Sequence, residues 1–335
     1  MNNYRIAIAG ALFCMLLSAC CRGPLRPLPR LEMEMNSFED LQYKWNMQGC
    51  AVYGDLMFSL HDKGICVVVD LAKKELVAQF PLASSGENNH ANIAFFGTQR
   101  FAGDDPFPLL YVSQCKSAPV TEIGLPETDS LSRLCFVERV LTDEAGAPCG
   151  TQLVQLLNPV FDSFSSSLWV ADESDPEHIW CFGNSTGNRR PDNHIIMRKF
   201  AFPEYSADNF VVDMKEEDVL DKSALDEYLP EGARGPQDCT LQGGCMVDGL
   251  LYLPVGTGKK FPAEIFIFDL RPRFRDGVHY RYAHFDYTDI IPYEPEDMDV
   301  WGDRLVLHVN NIYDKDNRIY SFPLKEMRRS VHGKL

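Results

Sequence analysis

Five polar side chains stand where short apolar runs begin, and their amide, imidazole and carboxylate groups can hydrogen-bond a ligand. Three segments share an ungapped strand–glycine turn–strand pattern, namely CAVYGDLMFSL, CMVDGLLYLPV and MDVWGDRLVLHV. Counting six residues back from each turn glycine reaches Gln48, Gly243 and Glu296. A fourth, degenerate copy has His90 and Asn92 in the corresponding zone. Gly243 has no side chain, but the residue before it is Gln242. The predicted ligand contacts are therefore Gln48, His90, Asn92, Gln242 and Glu296.

Short β-strands must position these residues. From about residue 45 onward, β-branched and aromatic runs alternate with Gly, Asp, Asn and Pro, which is typical of an all-β sandwich, barrel or propeller. The repeated unit favours a propeller, because blades of this kind bury their faces against each other. We predict an all-β fold, a single β-propeller with five blades at 45–82, 90–157, 160–202, 238–287 and 294–324. Residues before Trp45 can supply an outer strand to the last blade, and six blades result if residues 201–238 form another.

An acidic insertion at residues 203–231 interrupts the repeats. Its segment 215–229, KEEDVLDKSALDEYL, places apolar residues at roughly helical spacing. We therefore predict a short helix on the rim of the propeller. If the protein is a scaffold, this insertion is the element that docks a partner.

The N-terminus predicts export. Arg5 precedes an apolar run of about a dozen residues, whereas a spanning helix needs ~20, so residues 1–19 are predicted to be a signal peptide. The run ends in LSAC, which resembles a bacterial lipobox with Cys20 as the lipidated residue. Residues 20–37 are then a proline-rich tether and 38–330 the propeller domain. We expect a protein anchored to the bacterial cell envelope by lipid, periplasmic or exposed at the surface.

The acidic charge of the chain limits the classes of partner that it can bind. The chain has 32 basic and 48 acidic residues, a formal charge of −16, which disfavours nucleic acid and leaves a protein or glycan as partner. We expect a monomer.

No C-x-x-C motif occurs and several cysteines lie in apolar runs, so no disulfide framework is expected. Cys239 and Cys245 are the one local pair that merits a test.

With this blade pattern, residues 45–325 resemble exported bacterial propellers of the TolB-like and lactonase-like kinds. The lactonase-like resemblance implies a divalent cation on the propeller axis. Its ligands here would be Glu296 and Asn92 with Asp172 or Asp238, since oxygen ligands suit Ca²⁺. No spacing in the sequence requires this ion, so we expect no cofactor, with Ca²⁺ as the alternative.

The function predicted from the sequence is binding. We expect a membrane-anchored extracytoplasmic propeller that binds a ligand or a protein at its channel face, and not an enzyme. The alternative is a metal-assisted or carboxylate-based hydrolase that uses the same face. Glu296, Asp172 and Asp238 would be its candidate carboxylates, because paired carboxylates support glycosidase-like acid and base chemistry.

Overall fold

The computed structural model describes residues 26–44, 46–87, 89–115, 134–161, 167–257, 261–271, 281–291, 293–311 and 317–332. The predicted signal peptide and Cys20, the predicted lipidation site, lie outside these residues. Among the residues described, no helix is both long enough and apolar enough to cross a bilayer.

Five sheets form five blades, as the repeats predict. Blade 1 consists of β2 (Met47–Tyr53), β3 (Leu56–His61), β4 (Ile65–Asp70) and β5 (Glu75–Pro81). Blade 2 consists of β6 (Ile93–Phe96), β7 (Leu110–Ser113), β8 (Cys135–Thr142), β9 (Pro148–Val160) and β13 (Val211–Lys215). Blade 3 consists of β10 (Leu168–Ala171), β11 (His178–Asn184), β12 (Ile195–Ala201) and β14 (Val219–Ala224).

The last two blades bring the C-terminal part of the chain back to its N-terminal part. Blade 4 consists of β15 (Cys245–Val247), β16 (Leu250–Val255), β17 (Glu264–Asp269) and β18 (Tyr282–Asp286). Blade 5 consists of β19 (Glu294–Trp301), β20 (Arg304–Asn310), β21 (Arg318–Pro323) and β1 (Arg30–Glu34). The innermost strands are thus β2, β6, β10, β15 and β19.

The hydrophobic core is divided into five clusters, and each lies mainly between two neighbouring blades. Tyr252 of blade 4 and Phe322 of blade 5 share one cluster, and Phe58 of blade 1 and Val112 of blade 2 share another. Each sheet therefore buries both faces against its neighbours. This arrangement explains why the strands are rich in buried apolar residues on both sides.

Blade 5 is closed by the N-terminal strand. β1 pairs antiparallel with β21, so residues before Trp45 do supply the missing outer strand. The boundary predicted for the tether, 20–37, is wrong at its C-terminal end, because Arg30–Glu34 is part of a sheet. Composition alone could not show this, since the strand is fixed by pairing with residues almost 300 positions away.

The acidic insertion is not helical. It forms β13, which pairs parallel with β9, then a 3-10 turn at Glu216–Asp218 and β14, which pairs with β12. A second 3-10 turn at Leu225–Tyr228 buries Leu225 and Tyr228 between blades 3 and 4. The predicted helix is thus wrong, and no sixth blade arises from residues 201–238. Leu225 and Tyr228, which fit a helical face, are instead buried beside blade 4, whereas Leu220 is 58% exposed.

The turn glycines take the conformations that the repeats require. Gly54, Gly249 and Gly302 have φ of 62°, 73° and 58° between the first and second strands of their blades. Asp248 before Gly249 also has a positive φ, 51°, as a type I′ hairpin turn demands.

A C-terminal α-helix that the sequence analysis does not predict, α1 (Leu324–His332), follows β21. Leu324, Met327 and Val331 recur on one face and are buried between blades 4 and 5. Cys239 and Cys245 are both free thiols, so the local disulfide pair is not formed.

Candidate functional site at the strand-start mouth

The predicted ligand contacts gather at one end of the channel. We call this end, where the innermost strands begin, the strand-start mouth, and define it by Gln48, His90, Asn92, Gln242 and Glu296. Gln48 and Glu296 lie within the first three residues of β2 and β19, and Asn92 directly precedes β6. Gln242 lies in the segment that leads into β15. The register set by the turn glycines therefore placed these residues at one end of the blades.

A buried inner layer joins blades 1 and 5. The Nε2 group of Gln48 donates a long hydrogen bond of 3.4 Å to Oε1 of Glu296, and Nδ2 of Asn310 donates to the same oxygen at 3.1 Å. Burial raises the pKa of Glu296 well above its usual range, and nearby Glu294 adds to the rise. Because both amides donate to Oε1, a proton on this carboxyl is placed on Oε2. The inner layer thus favours a neutral carboxyl group.

A half-buried outer layer lies above it. The carboxylate Oδ1 of Asp62 lies 2.8 Å from Nδ1 of His90, and since a carboxylate accepts, Nδ1 carries the proton. Nε2 of Gln242 donates to Oε1 of Glu294 at 2.8 Å. Burial raises the pKa of Glu294, and His90 opposes that rise. Imidazole and carboxylate therefore face each other at the mouth, where solvent reaches both.

Sequence reasoning missed Asp62 and did not single out Glu294. Glu294 lies two residues before Glu296, a spacing that in a regular strand places two side chains on one face. That spacing is a signal that could have found it. Asp62 follows β3, a second strand, so the repeats contain no comparable signal for it.

Several buried polar atoms of this region have no hydrogen-bond partner among the described residues. They belong to side chains from four blades: Gln48 Oε1, Asn92 Nδ2, both polar atoms of the Gln114 amide, Ser167 Oγ and Asn310 Oδ1. Each of these residues is no more than 6% exposed. Buried polar groups are normally paired with protein, water or ligand. The set therefore indicates a place built to be completed by such a group.

Asp297 holds the innermost strands together below this layer. Its Oδ2 accepts the backbone N–H of Cys50 at 2.8 Å and of Ala94 at 3.2 Å, and its Oδ1 accepts that of Gly244 at 2.8 Å. One carboxyl group of blade 5 thus binds blades 1, 2 and 4. Burial raises the pKa of Asp297 well above its usual range, and these backbone donors oppose the rise. A Cβ on Gly243 would lie 2.2 Å from Oδ1, so this position requires glycine.

His308 fixes the backbone of Gln48. Its Nδ1 lies 2.9 Å from the carbonyl oxygen of Gln48, which can only accept, so Nδ1 carries the proton. Its Nε2 is then the acceptor for the hydroxyl of Ser59, at 2.9 Å. Burial lowers the pKa of His308 to about 3. The neutral ring is therefore a structural link between blades 5 and 1.

We expect His308 to make the protein sensitive to acid. Its pKa is about 3 when folded and about 6.5 when unfolded, so between these values the unfolded chain binds more protons. This residue therefore makes the free energy of unfolding fall as the pH falls, by up to about 1.4 kcal/mol per pH unit. Urea unfolding of wild type and His308→Gln at pH 7 and pH 5 should show their difference shrinking at pH 5. A difference that stays constant between the two pH values would contradict this assignment.

The four residues named as metal ligands are not brought together. Asp172 follows β10 at the opposite end of the channel, where its carboxylate accepts N–H from Asp248 at 3.2 Å and Gly249 at 2.5 Å. Asp238 is exposed and accepts the N–H of Gly235 at 3.0 Å. The described part of the chain contains no group of three or more His, Cys, Asp or Glu side chains placed to hold a metal ion. The carboxylate set proposed for a hydrolase, Glu296 with Asp172 and Asp238, is separated in the same way.

No protein-family model and no curated protein matches the chain. Among solved structures it is similar to that of U3-55K, at 10% identity, 89% coverage of this chain, 100% of that chain and a TM-score of 0.42. It is also similar to a putative oxidoreductase (glucose dehydrogenase) from Thermus thermophilus, at 8% identity, 88% and 99% coverage and a TM-score of 0.43. Raptor from Chaetomium thermophilum matches at 11% identity, 83% and 21% coverage and a TM-score of 0.34. Likenesses at this level carry no argument about activity.

Proposed function

We propose that this chain is an exported, lipid-anchored propeller that binds a ligand or a partner protein at the strand-start mouth. The observation that carries the proposal is the set of buried, unpartnered polar atoms that four blades direct to one region. An unpaired buried polar group costs about 1–3 kcal/mol, so retaining several at one place is expensive unless something binds there.

The ligand would reach the outer layer first. His90 and Glu294 are only half-buried, whereas Gln48 and Glu296 are closed off beneath them. The imidazole Nε2, whose tautomer Asp62 sets, is a hydrogen-bond acceptor, and the Glu294 carboxylate is a second. A ligand rich in hydroxyl or N–H donors, such as a glycan or a protein loop, suits this pair of acceptors.

The experiment is a binding screen followed by substitution. An immobilised array of neutral and amino-sugar glycans identifies a probe, and calorimetry measures its Kd for wild type and variants. His90→Ala and Glu294→Gln should each weaken binding tenfold or more, about 1.4 kcal/mol. Glu144→Gln makes the same charge change in an exposed turn of blade 2 and should leave Kd unchanged. Equal affinity in all variants, or no probe bound by wild type, would contradict a glycan site at this mouth.

The hydrolase remains the second candidate, on one observation. A carboxylate-oriented imidazole beside a carboxyl of raised pKa is an arrangement that acid–base catalysis uses. His90 would then be the base and Glu294 the acid. Turnover of chromogenic glycosides or lactones that His90→Ala abolishes, with binding retained, would favour catalysis over simple binding.

A further inference from the structure

A second concave site lies at the opposite end of the propeller. We call this end the turn mouth and define it by the hairpin turns at Gly54, Gly249 and Gly302 together with the segment after β10. Its cavity has a volume of about 1170 Å³ and is lined by all five blades and by α1. Pockets of roughly 300–1,000 Å³ suffice for drug-sized ligands, so this one can accept a short peptide segment. Of the residues predicted from sequence as a site, it contains Asp172 alone.

The wall of this cavity is predominantly acidic. Six carboxylates line it against three cationic side chains of α1: Asp55, Asp172, Glu173, Asp248, Asp299 and Asp303 against Lys325, Arg328 and Arg329. Asp172 and Asp248 are already engaged, the former by backbone N–H groups and the latter by Arg328. Within the described part of the chain, no ion pair joins Glu173 or Asp299 to a basic side chain. Neither carboxyl group therefore has a charged partner of its own among those residues, although both oxygens of Asp299 accept backbone N–H groups, from Val52 and Val300.

Asp299 is a partly buried member of this group. Its Oδ2 accepts the N–H of Val52 at 2.6 Å, and its Oδ1 accepts that of Val300 at 2.7 Å. Burial raises the pKa of Asp299 to about 7, and the charge of Glu173 adds to the rise. Two carboxyl groups that oppose each other's ionisation are stabilised when a cation binds between them.

Aromatic side chains share the wall with the carboxylates. Tyr53, Phe96 and Trp301 line the cavity, and the indole N–H of Trp301 donates to Asp55 at 3.0 Å. A carboxylate held beside an aromatic ring is suited to a guanidinium or ammonium group, which pairs with the first and stacks on the second.

The protein itself already places a guanidinium in this wall. Arg328 of α1 forms an ion pair with Asp248 of the blade 4 turn. This contact is independent of Glu173 and Asp299 and shows that the turn mouth accommodates an arginine side chain. The volume that remains beside it is far larger than one side chain.

We propose that the turn-mouth cavity binds a basic peptide segment, with arginine or lysine side chains seated between Asp299, Glu173 and the aromatic wall. This site is separate from the strand-start mouth and does not rest on the function proposed there. Between the two mouths, Asp297 ties the innermost strands together. The wall of the turn-mouth cavity contains none of the five residues that define the strand-start mouth.

The test uses blocked tetrapeptides as probes, with calorimetry on the full chain in about 150 mM salt. Acetylated, amidated tetra-arginine is expected to bind one per protein, and tetra-glutamate not at all. Glu173→Gln and Asp299→Asn should each weaken tetra-arginine binding at least fivefold. Glu173 is exposed, so its substitution leaves the fold intact even if Asp299→Asn lowers stability.

A matched control makes the outcome decisive. Glu144→Gln removes one negative charge outside the cavity wall and should leave the affinity unchanged. An equal loss with Glu144→Gln would show nonspecific attraction to an acidic surface and overturn the proposal. Absence of saturable binding, or tighter binding of tetra-glutamate, would overturn it as well, without bearing on the strand-start mouth.

Discussion

Replacing Asp297 with alanine is expected to lower the free energy of unfolding by about 3 kcal/mol or more, the largest effect of any single substitution in this protein. The change removes the acceptor for three backbone N–H groups, those of Cys50, Ala94 and Gly244. Cys50 and Ala94 belong to innermost strands, Gly244 directly precedes β15, and none of the three N–H groups can turn to solvent. Each unpaired buried donor costs about 1–3 kcal/mol, and the cavity left by the carboxyl group adds to that cost.

Urea unfolding measures this loss, and amide hydrogen exchange shows its origin. The amides of Cys50, Ala94 and Gly244 should lose protection together, although they lie in three different blades. Asp297→Asn keeps one oxygen but turns an N–H toward a donor, so it should fall between wild type and alanine. Asp303→Asn, at the fully exposed turn of the same hairpin, serves as the matched control. Unchanged protection of the three amides in Asp297→Ala would show that the carboxyl group does not hold the strands.

The blades could be predicted because their signal is local and repeated. A glycine at φ near +60° between two apolar runs marks each of three hairpins, at Gly54, Gly249 and Gly302. The register of those glycines also placed Gln48 and Glu296 at the same end of the channel. The structure bears out that geometry, with the two side chains in contact.

The outer strands could not be predicted in the same way, because pairing at a distance decides them. Val219, Leu225 and Tyr228 are compatible with a helical face and equally with a strand followed by a 3-10 turn. The open edge of β12 selects the strand, since β14 pairs along it while Leu225 and Tyr228 fill the gap beside blade 4. The sequence of residues 215–229 contains no information about the open edge of β12.

The central role of Asp297 and the separation of the metal candidates have a related cause. Asp172 follows its innermost strand whereas Glu296 is near the start of its own, and the strands run in the same direction along the channel. The position of a residue relative to the hairpin turn therefore decides at which end of the channel its side chain lies, and its residue type does not. For Asp297, the four acidic residues of β19 give no sign of which one holds the other strands, and its three partners become apparent only when four blades are assembled.

A chain that begins at residue 38 is expected to be less stable than the full chain by about 3–6 kcal/mol, because it lacks β1. Met33 and Met35, which are 5% and 0% exposed, would no longer fill the core between blades 5 and 1. Glu32 would no longer accept hydrogen bonds from Arg304 at 2.5 Å and from Ser321 at 2.6 Å. The edge of β21 would lose its pairing strand and be exposed, and the ring of blades would no longer be closed.

The matched control is a chain that begins at residue 26, which keeps β1 and lacks Cys20. It should unfold at the same urea concentration as the full chain but leave the membrane fraction, because the proposed lipid site is absent. If the residue-38 chain is equally stable, β1 does not close the ring; if the residue-26 chain stays with membranes, Cys20 is not the anchor.

Arg26 is held at the rim by Asp289, at 2.7 Å. Because six residue steps separate Cys20 from Arg26, a lipid on Cys20 would keep that rim within about 20 Å of the bilayer surface.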